Sequence, residues 1–368
     1  MSDMPFGDLR VEEALGRYFN IEDQYIYYDQ TRYIVSLKNH MTTPEQVKEG
    51  FHSFIGEIRQ YNYLAKLSIE DVGYLIIPFK MPREESQSYR TNIILFAATF
   101  ITVFFDGYMR SETRLLTEAL MPGVSPYLNA FLFTISLLGI FGIHELGHKY
   151  ATIKKGISAS MPYFIPAPPG MGGTFGAVIT QKEPPVNRDD LFDMGFSGPF
   201  VGFIITIIVT IIGLKLSFIV SPSEILQWSY LFPDVQLQAL QIPRLIEFIW
   251  AIIGPNMGAN QLILHPVAFA AWVGCLITFL NLIPVWQLDG GHIIRAVFGK
   301  KYHKPISYVG LLLMMASGFT VMAVLIGFFT LRANFKADTL LDEISPLSKS
   351  RKALMVIYLL MLFLTVPL

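Results

Sequence analysis

Charged residues are scarce in this 368-residue sequence. Asp, Glu, Lys and Arg together make up 15% of it, and hydrophobic residues make up 52%. A typical soluble domain is about 25% charged, so a soluble globular protein is not expected. The formal net charge of -1 argues against nucleic-acid binding, which calls for a basic surface. The single cysteine, Cys275, cannot form an intrachain disulfide, and its apolar surroundings predict a buried thiol.

The start of the sequence lacks the features of a targeting segment. Residues 1 to 8 are acidic and precede polar, foldable sequence, unlike a secretory signal peptide or an Arg- and Ser-rich transit peptide. We therefore expect a cytoplasmic N-terminus and a prokaryotic rather than an organellar protein. Residues 1 to 88 predict a small cytoplasmic α+β domain, in which no residue indicates catalysis and a docking or regulatory role is expected. Its predicted strands lie at Tyr25–Tyr28, Tyr33–Leu37 and Tyr74–Phe79, and a helix follows Thr43.

Residues 91 to 368 predict a membrane domain with about six transmembrane helices, which makes the chain a polytopic α-helical membrane protein. Most of the apolar segments approach the 20 or so residues that cross a bilayer. A further apolar piece, Phe248 to Leu264, contains Gly254-Pro255 and is expected to be interfacial or re-entrant. The six predicted spans are Thr91–Met109, Leu128–Ile153, Gly195–Ile219, Pro266–Leu288, Ile306–Leu331 and Ala353–Leu368.

Lysine and arginine residues predict the orientation of these spans, because cytoplasmic loops carry an excess of them. With the N-terminus inside, the basic segments that follow the second and fourth spans are also inside. The segment 220–265 is then outside and holds one basic residue, Arg244. The segment 332–352 is predicted to be outside although it holds five basic residues, which disagrees with the rule.

A motif with metal-binding chemistry ends the second span, His144-Glu145-Leu146-Gly147-His148. Residues four apart share a helix face, so both imidazoles can reach one Zn²⁺, and Glu145 can reach the water that it activates. No charged residue occurs from Ala119 to Ile143. Two histidines and a glutamate at membrane depth are costly unless they are bound or paired. The pattern favours an intramembrane zinc site over a packing cluster.

A third zinc ligand is needed, because zinc hydrolases use three protein ligands and leave one position open. Asp289 ends the fourth predicted span, at the same predicted depth as the two histidines. An unpaired carboxylate there would be costly, so we expect it to bind the metal. The structural alternative is an ion pair with Arg295.

Together, HELGH and the later Asn281-Leu-Ile-Pro284-Val-Trp-Gln-Leu-Asp289-Gly motif resemble the site-2 protease family of zinc intramembrane metalloproteases. The resemblance covers about residues 125 to 300, the expected catalytic core. It implies that His144, His148 and Asp289 bind one Zn²⁺ and that Glu145 is the general base. It also implies that Asn281 helps to position the substrate or the oxyanion. Many family members have a second proline where this chain has Val285-Trp286-Gln287.

A proline- and glycine-rich stretch follows the first motif and contains Gly173-Thr174-Phe175-Gly176. It resembles the archaeal and plastid-type branch of the family. Prolines and glycines exclude a plain helix, and residues 174 to 180 suit an extended strand. We expect a re-entrant β segment to which a substrate strand is added, with these four residues binding substrate. An ordinary cytoplasmic loop is the alternative.

These observations predict a zinc-dependent endopeptidase that cleaves peptide bonds in or near transmembrane segments. The expected partners are the lipid bilayer and a transmembrane protein substrate, such as a membrane-tethered regulator. Two alternatives stay open. One is a membrane HExxH protease whose third ligand is a glutamate. The other is a non-catalytic zinc-holding scaffold or zinc transporter, although neither repeats nor polar relays along several spans are evident.

Overall fold

The computed structural model describes residues 8–71, 73–81, 88–233, 235, 237–332 and 339–367. Its N-terminal part is an α+β unit with one hydrophobic core. Thr43 caps the second helix with a capping box, and Pro44 occupies its first turn. The strands form an antiparallel sheet in the order β1-β2-β4-β3. The elements are α1 Leu9–Tyr18, β1 Phe19–Tyr27, β2 Gln30–Leu37, α2 Pro44–Arg59, β3 Tyr63–Glu70 and β4 Gly73–Lys80.

The rest of the described chain is mainly helical. The helices are α3 Arg90–Ser111, α4 Pro126–Lys154, α5 Arg188–Leu216, α6 Pro222–Leu231, α7 Arg244–Ile253, α8 Pro266–Leu282, α9 Asp289–Phe298, α10 Lys300–Ala316, α11 Thr320–Arg332 and α12 Lys349–Thr365. Three of them, α3 to α5, are long and apolar enough to cross a membrane, and α8 and α11 are shorter apolar helices. A π-helical turn, Leu115–Leu120, precedes α4.

Two short β hairpins interrupt the helices. Between α4 and α5, β5 (Tyr163–Pro166) pairs with β6 (Thr174–Val178), and β5 packs against α3. On either side of α6 and α7, β7 (Phe218–Val220) pairs with β8 (Gln261–Ile263). Helices α4, α5 and α8 pack against one another, and α9 packs on α5. This helical core positions the site described below.

The fourth and fifth predicted spans differ from the structure. Helix α8 ends at Leu282, and an irregular turn precedes α9. The segment predicted as one span, Ile306–Leu331, is two helices, because Gly318 takes a left-handed conformation (φ +85°) that ends α10. Helices α10 and α11 therefore form a hairpin, and the chain returns to the end of the bundle from which α10 begins. The last predicted span corresponds to α12, which ends at Thr365, and Leu368 lies outside the described residues.

Ion pairs join the N-terminal unit to the end of the helical core at which α5 begins. Lys48 Nζ lies 3.1 Å from a carboxylate oxygen of Asp189, and both side chains are about nine-tenths buried. The segment after α11 reaches the same place: the backbone N–H of Leu67 donates to the Leu341 carbonyl oxygen at 2.7 Å. Leu341 is buried in the core of the N-terminal unit. A later part of the chain thus completes that unit.

Candidate metal centre

The centre is built first on α4, where the i, i+4 spacing places two imidazoles on one face. Nε2 of His144 and Nε2 of His148 are 3.0 Å apart. Nδ1 of His148 lies 2.6 Å from the backbone carbonyl oxygen of Met194. Because that carbonyl can only accept, Nδ1 carries the proton and Nε2 presents its lone pair to the centre. A histidine held in this way is oriented for a metal.

Helix α9 supplies the third group through its first residue, Asp289. One carboxylate oxygen lies 3.2 Å from Nε2 of His144, and the other lies 3.3 Å from Nε2 of His148. The alternative ion pair with Arg295 is wrong, because that buried guanidinium pairs with Glu343 at 2.7 Å. Two segments about 140 residues apart in sequence therefore meet at one point.

The three donor groups fit a zinc ion. Their atoms are 3.0 to 3.3 Å from one another, and ligands at about 2.0–2.1 Å from a tetrahedral zinc are about 3.3 Å apart. The His144, His148 and Asp289 side chains are only 7%, 12% and 15% exposed. Two imidazoles and a carboxylate are a donor set that zinc commonly takes in proteins. Their spacing and burial therefore suit a bound zinc ion, and Glu145 lies close enough to His144 and His148 to belong to the same candidate metal-binding group.

Glu145 lies next to this triangle and lines the same cavity, whose volume is about 850 Å³. Its side chain is buried, and the Ile179 backbone N–H interacts with its carboxylate. Asn281 also lines the cavity, with Nδ2 3.5 Å from Nε2 of His144. The carboxylate, the amide and the metal ligands therefore face one space large enough for a peptide segment.

The predicted substrate segment, Gly173 to Gly176, does not line the cavity. It lies in and just before β6, with the Thr174 and Gly176 residues buried and Phe175 exposed. The next residues, Ala177 to Thr180, do line it, and we call them the cavity edge. The extended conformation predicted for residues 174 to 180 is present from Thr174 to Val178.

Comparison with known proteins identifies the family. The model of peptidase family M50 matches residues 132–325, just over half of the chain, and this range contains His144, Glu145, His148, Asn281 and Asp289. The chain belongs to peptidase family M50. The resemblance to the site-2 proteases is thereby confirmed.

Three relatives illustrate the similarity of this M50 chain to plant proteins. "Probable zinc metalloprotease EGY1, chloroplastic" of Arabidopsis thaliana is 30% identical over 65% of this chain and 43% of its own length. "Probable zinc metalloprotease EGY2, chloroplastic" of Oryza sativa subsp. indica is 32% identical over 46% of this chain and 29% of its own length. "Probable zinc metalloprotease EGY3, chloroplastic" of the same organism is 27% identical over 61% of this chain and 40% of its own length. The chain thus spans less than half of each relative. No solved structure matches.

Three glycines of α5 form part of the M50 centre, and the sequence analysis missed them. A Cβ atom on Gly195 would lie 2.9 Å from the Asp289 carbonyl oxygen, and one on Gly202 would lie 3.1 Å from Nδ1 of His144. One on Gly198 would collide with the His148 ring. Their spacing of three and four residues is the signal that could have found them, since small residues on one helix face let neighbours approach closely.

The turn before Asp289 is shaped without the second proline that many family members have. Trp286 takes a left-handed conformation with φ +35°. Its backbone N–H donates to Oγ of Ser307 at 3.0 Å, and its carbonyl oxygen lies 3.2 Å from Nε2 of His303. Two buried side chains of α10 therefore hold the turn that presents Asp289.

Proposed function

We propose that this protein is a zinc-dependent endopeptidase that hydrolyses peptide bonds in or near the transmembrane segments of other proteins. The observation that carries the proposal is the buried triangle of His144, His148 and Asp289 with Glu145 beside it. Two of these ligands lie near the end of α4, a helix long enough to cross a membrane. Membership of family M50 and the names of the relatives support the same activity.

The side chains of the centre have separate roles in this proposal. His144, His148 and Asp289 would hold Zn²⁺, which when bound supplies the Lewis acidity that polarises the scissile carbonyl and makes the attacking water more acidic. Glu145 accepts a proton from that water and delivers it to the leaving amine nitrogen. Asn281, on the cavity wall, donates a hydrogen bond that orients the substrate carbonyl or its oxyanion.

The substrate proposal rests on the cavity edge. A transmembrane helix engages its own carbonyl groups, so it must unwind locally before hydrolysis. Ala177 to Thr180 line the same cavity as Glu145, and an extended substrate segment can add to this edge through backbone hydrogen bonds. The partner is therefore proposed to be a transmembrane protein, such as a membrane-tethered regulator that the cut releases.

Basic residues support a membrane orientation in which the N-terminal unit faces the cytoplasm. The α10–α11 hairpin returns the chain to the N-terminal unit's end of the bundle, where Arg351 pairs with Asp193 at 2.6 Å. In the proposed orientation the basic residues of 349–352 lie at the same end as those of 149–188 and 295–304, the distribution that the positive-inside rule favours. Lys336 lies outside the described residues. We propose a prokaryotic cell membrane as the location, whereas the plant relatives named above are chloroplastic.

A docking role is proposed for residues 1 to 88. The cavity wall includes Glu183, which pairs with Arg59 of the N-terminal unit at 2.9 Å, and Thr339, close to Leu341. The unit therefore contacts the segments that border the cavity. A partner or signal that moved the unit would change access to the centre.

The activity can be tested with the purified full-length chain in detergent, zinc and a fluorogenic single-span reporter. Glu145→Gln is expected to lower kcat by roughly 100-fold or more, because general acid–base catalysis contributes about 10²–10⁴-fold. It should keep its zinc, since Glu145 is not a ligand. Glu247→Gln, which changes an exposed glutamate of α7, is the matched control and should cleave like the wild type.

Other outcomes would favour the alternatives. Equal cleavage by the wild type and Glu145→Gln would refute the proposed mechanism. Zinc flux into vesicles without cleavage would instead support a transporter. A zinc-loaded protein with neither activity would support a scaffold.

A further inference from the structure

An aspartate within α3 contacts the hairpin that carries the cavity edge. Asp106 is 2% exposed, in a helix long enough to cross a membrane. One of its carboxylate oxygens accepts the backbone N–H of Gly170 at 2.6 Å, and the other accepts Nε of Arg110 at 2.7 Å. A buried carboxylate is costly unless it is hydrogen-bonded, so these two bonds indicate a role.

Gly170 belongs to the hairpin tip, which we define as residues 167–173 between β5 and β6. The tip has a second bond to α3, because Oγ1 of Thr102 donates to the Gly173 carbonyl oxygen at 2.7 Å. Gly173 has φ +73°, and a Cβ atom on it would lie 2.5 Å from the Val103 Cα. The tip therefore lies directly on the α3 backbone.

The hairpin has internal hydrogen bonds, including the Ala167 N–H to the Gly173 carbonyl oxygen at 3.1 Å and Thr174 Oγ1 to the Ile165 carbonyl oxygen at 2.9 Å. It has only two strands, however, and its pairing is irregular between Phe164 and Pro166. An isolated two-stranded hairpin is marginally stable. Contacts with neighbouring elements, chiefly α3, therefore help to fix its position relative to the helices.

The Arg110 partner is itself fixed. Its guanidinium lies 4.3 Å from the ring centroid of Phe269 in α8. Asp106 thus connects the hairpin tip to α3 and, through Arg110, to α8. Because the two strands of a hairpin move together, a shift at the tip displaces the cavity edge at the other end of β6.

We propose that Asp106 is a positioning residue. Its hydrogen bond to Gly170 holds the β5–β6 hairpin in the position that places the cavity edge beside Glu145. Thr102 supports the same contact. The proposal rests on the proposed function for its kinetic consequences. Its structural consequence, the position of the hairpin, can be measured separately.

The test uses the full-length chain in detergent and the single-span reporter. Asp106→Ala is expected to raise KM by roughly 10- to 100-fold with a smaller fall in kcat, because a displaced edge binds substrate weakly. Zinc content should stay at the wild-type value. Asp106→Asn keeps an oxygen that can accept the Gly170 N–H and is expected to restore most of the wild-type KM.

A second pair of variants separates the contact from general destabilisation. Thr102→Val removes the bond to Gly173, whereas Thr99→Val, one turn earlier in α3, changes a buried hydroxyl with no hydrogen-bond partner among the described residues. Hydrogen exchange of residues 163–180 should rise in Asp106→Ala and Thr102→Val but not in Thr99→Val. Exchange in α5 should stay unchanged in all three.

Several results would overturn the inference. One is an Asp106→Ala variant with the wild-type KM and unchanged hydrogen exchange in the hairpin. Another is an Asp106→Asn variant with a KM as high as that of Asp106→Ala. The third is an equal change in hairpin exchange in Thr102→Val and Thr99→Val. If the wild type fails to cleave the reporter, the proposed function fails, while the exchange measurements still decide whether Asp106 positions the hairpin.

Discussion

Gly198→Ala should remove zinc from the protein although Gly198 is not itself a ligand. A Cβ atom at this position would overlap the His148 imidazole at Nε2, the atom that faces His144 and Asp289. The ring cannot move away freely, since its Nδ1 is bonded to the Met194 carbonyl oxygen. The added methyl group therefore acts directly on the geometry of the centre.

The size of the effect follows from the space available. To restore ordinary van der Waals contact, the ring or α5 must retreat by about 1 Å, whereas metal-ligand distances tolerate about 0.2 Å. We therefore expect one of the three ligands to be lost. The zinc dissociation constant should rise by roughly 100-fold or more, which is the upper range for changes that disturb ligand support.

The assay is a competition titration of the purified protein against a zinc chelator. The matched control is Gly139→Ala in α4, where a Cβ atom would meet nothing within 4 Å. Because alanine favours helix over glycine by about 1 kcal/mol, the control should bind zinc normally and be slightly more stable. Wild-type zinc affinity in a folded Gly198→Ala protein would refute the arrangement described here.

Three further predictions follow from contacts around the centre. Ser307→Ala removes the acceptor for the Trp286 N–H and should weaken zinc binding by about 10-fold. The control is Ser111→Ala, which removes a buried hydroxyl that bonds to its own helix and should leave zinc affinity unchanged; equal zinc affinities of the two variants would contradict the prediction. Lys48→Met should weaken docking of the N-terminal unit by about 1–3 kcal/mol, seen as faster hydrogen exchange in α2, and the exposed Lys66→Met should leave it unchanged. Removal of zinc by a chelator should lower the Tm, because a metal that binds only the folded state stabilises it, and an unchanged Tm would be evidence against a bound metal.

Much of the candidate site could be predicted from local sequence patterns. The i, i+4 histidines predict a shared helix face, and Asp289 stands out because a carboxylate after a long apolar run needs a partner. Both patterns depend on short-range geometry, and the structure brings these residues together. The residues at the cavity edge were placed less accurately: Gly173 to Gly176 do not line the cavity, whereas Ala177 to Thr180 do. Which residues of the strand reach the cavity depends on where α3 holds the hairpin, and no local pattern reveals that.

The fold was predicted less completely. The sequence analysis missed α1 and β3, and β1 begins six residues before the predicted strand. Charged Glu22 and Asp23 hide the alternation of β1, which has a bulge between Ile21 and Asp23. Gly318 divides the fifth predicted span, yet a single glycine inside an apolar run is also compatible with a continuous helix. The packing of Leu341 in the N-terminal unit is a long-range contact that hydropathy cannot predict.

Zinc affinity of an Asp289→Ala variant tests most directly whether two distant segments share one metal ion. With His144 and His148 intact, we expect the wild type to bind one zinc per chain and the variant to bind it at least 100-fold more weakly, as is typical when a metal centre is disturbed. Wild-type affinity in a folded Asp289→Ala protein would contradict the account.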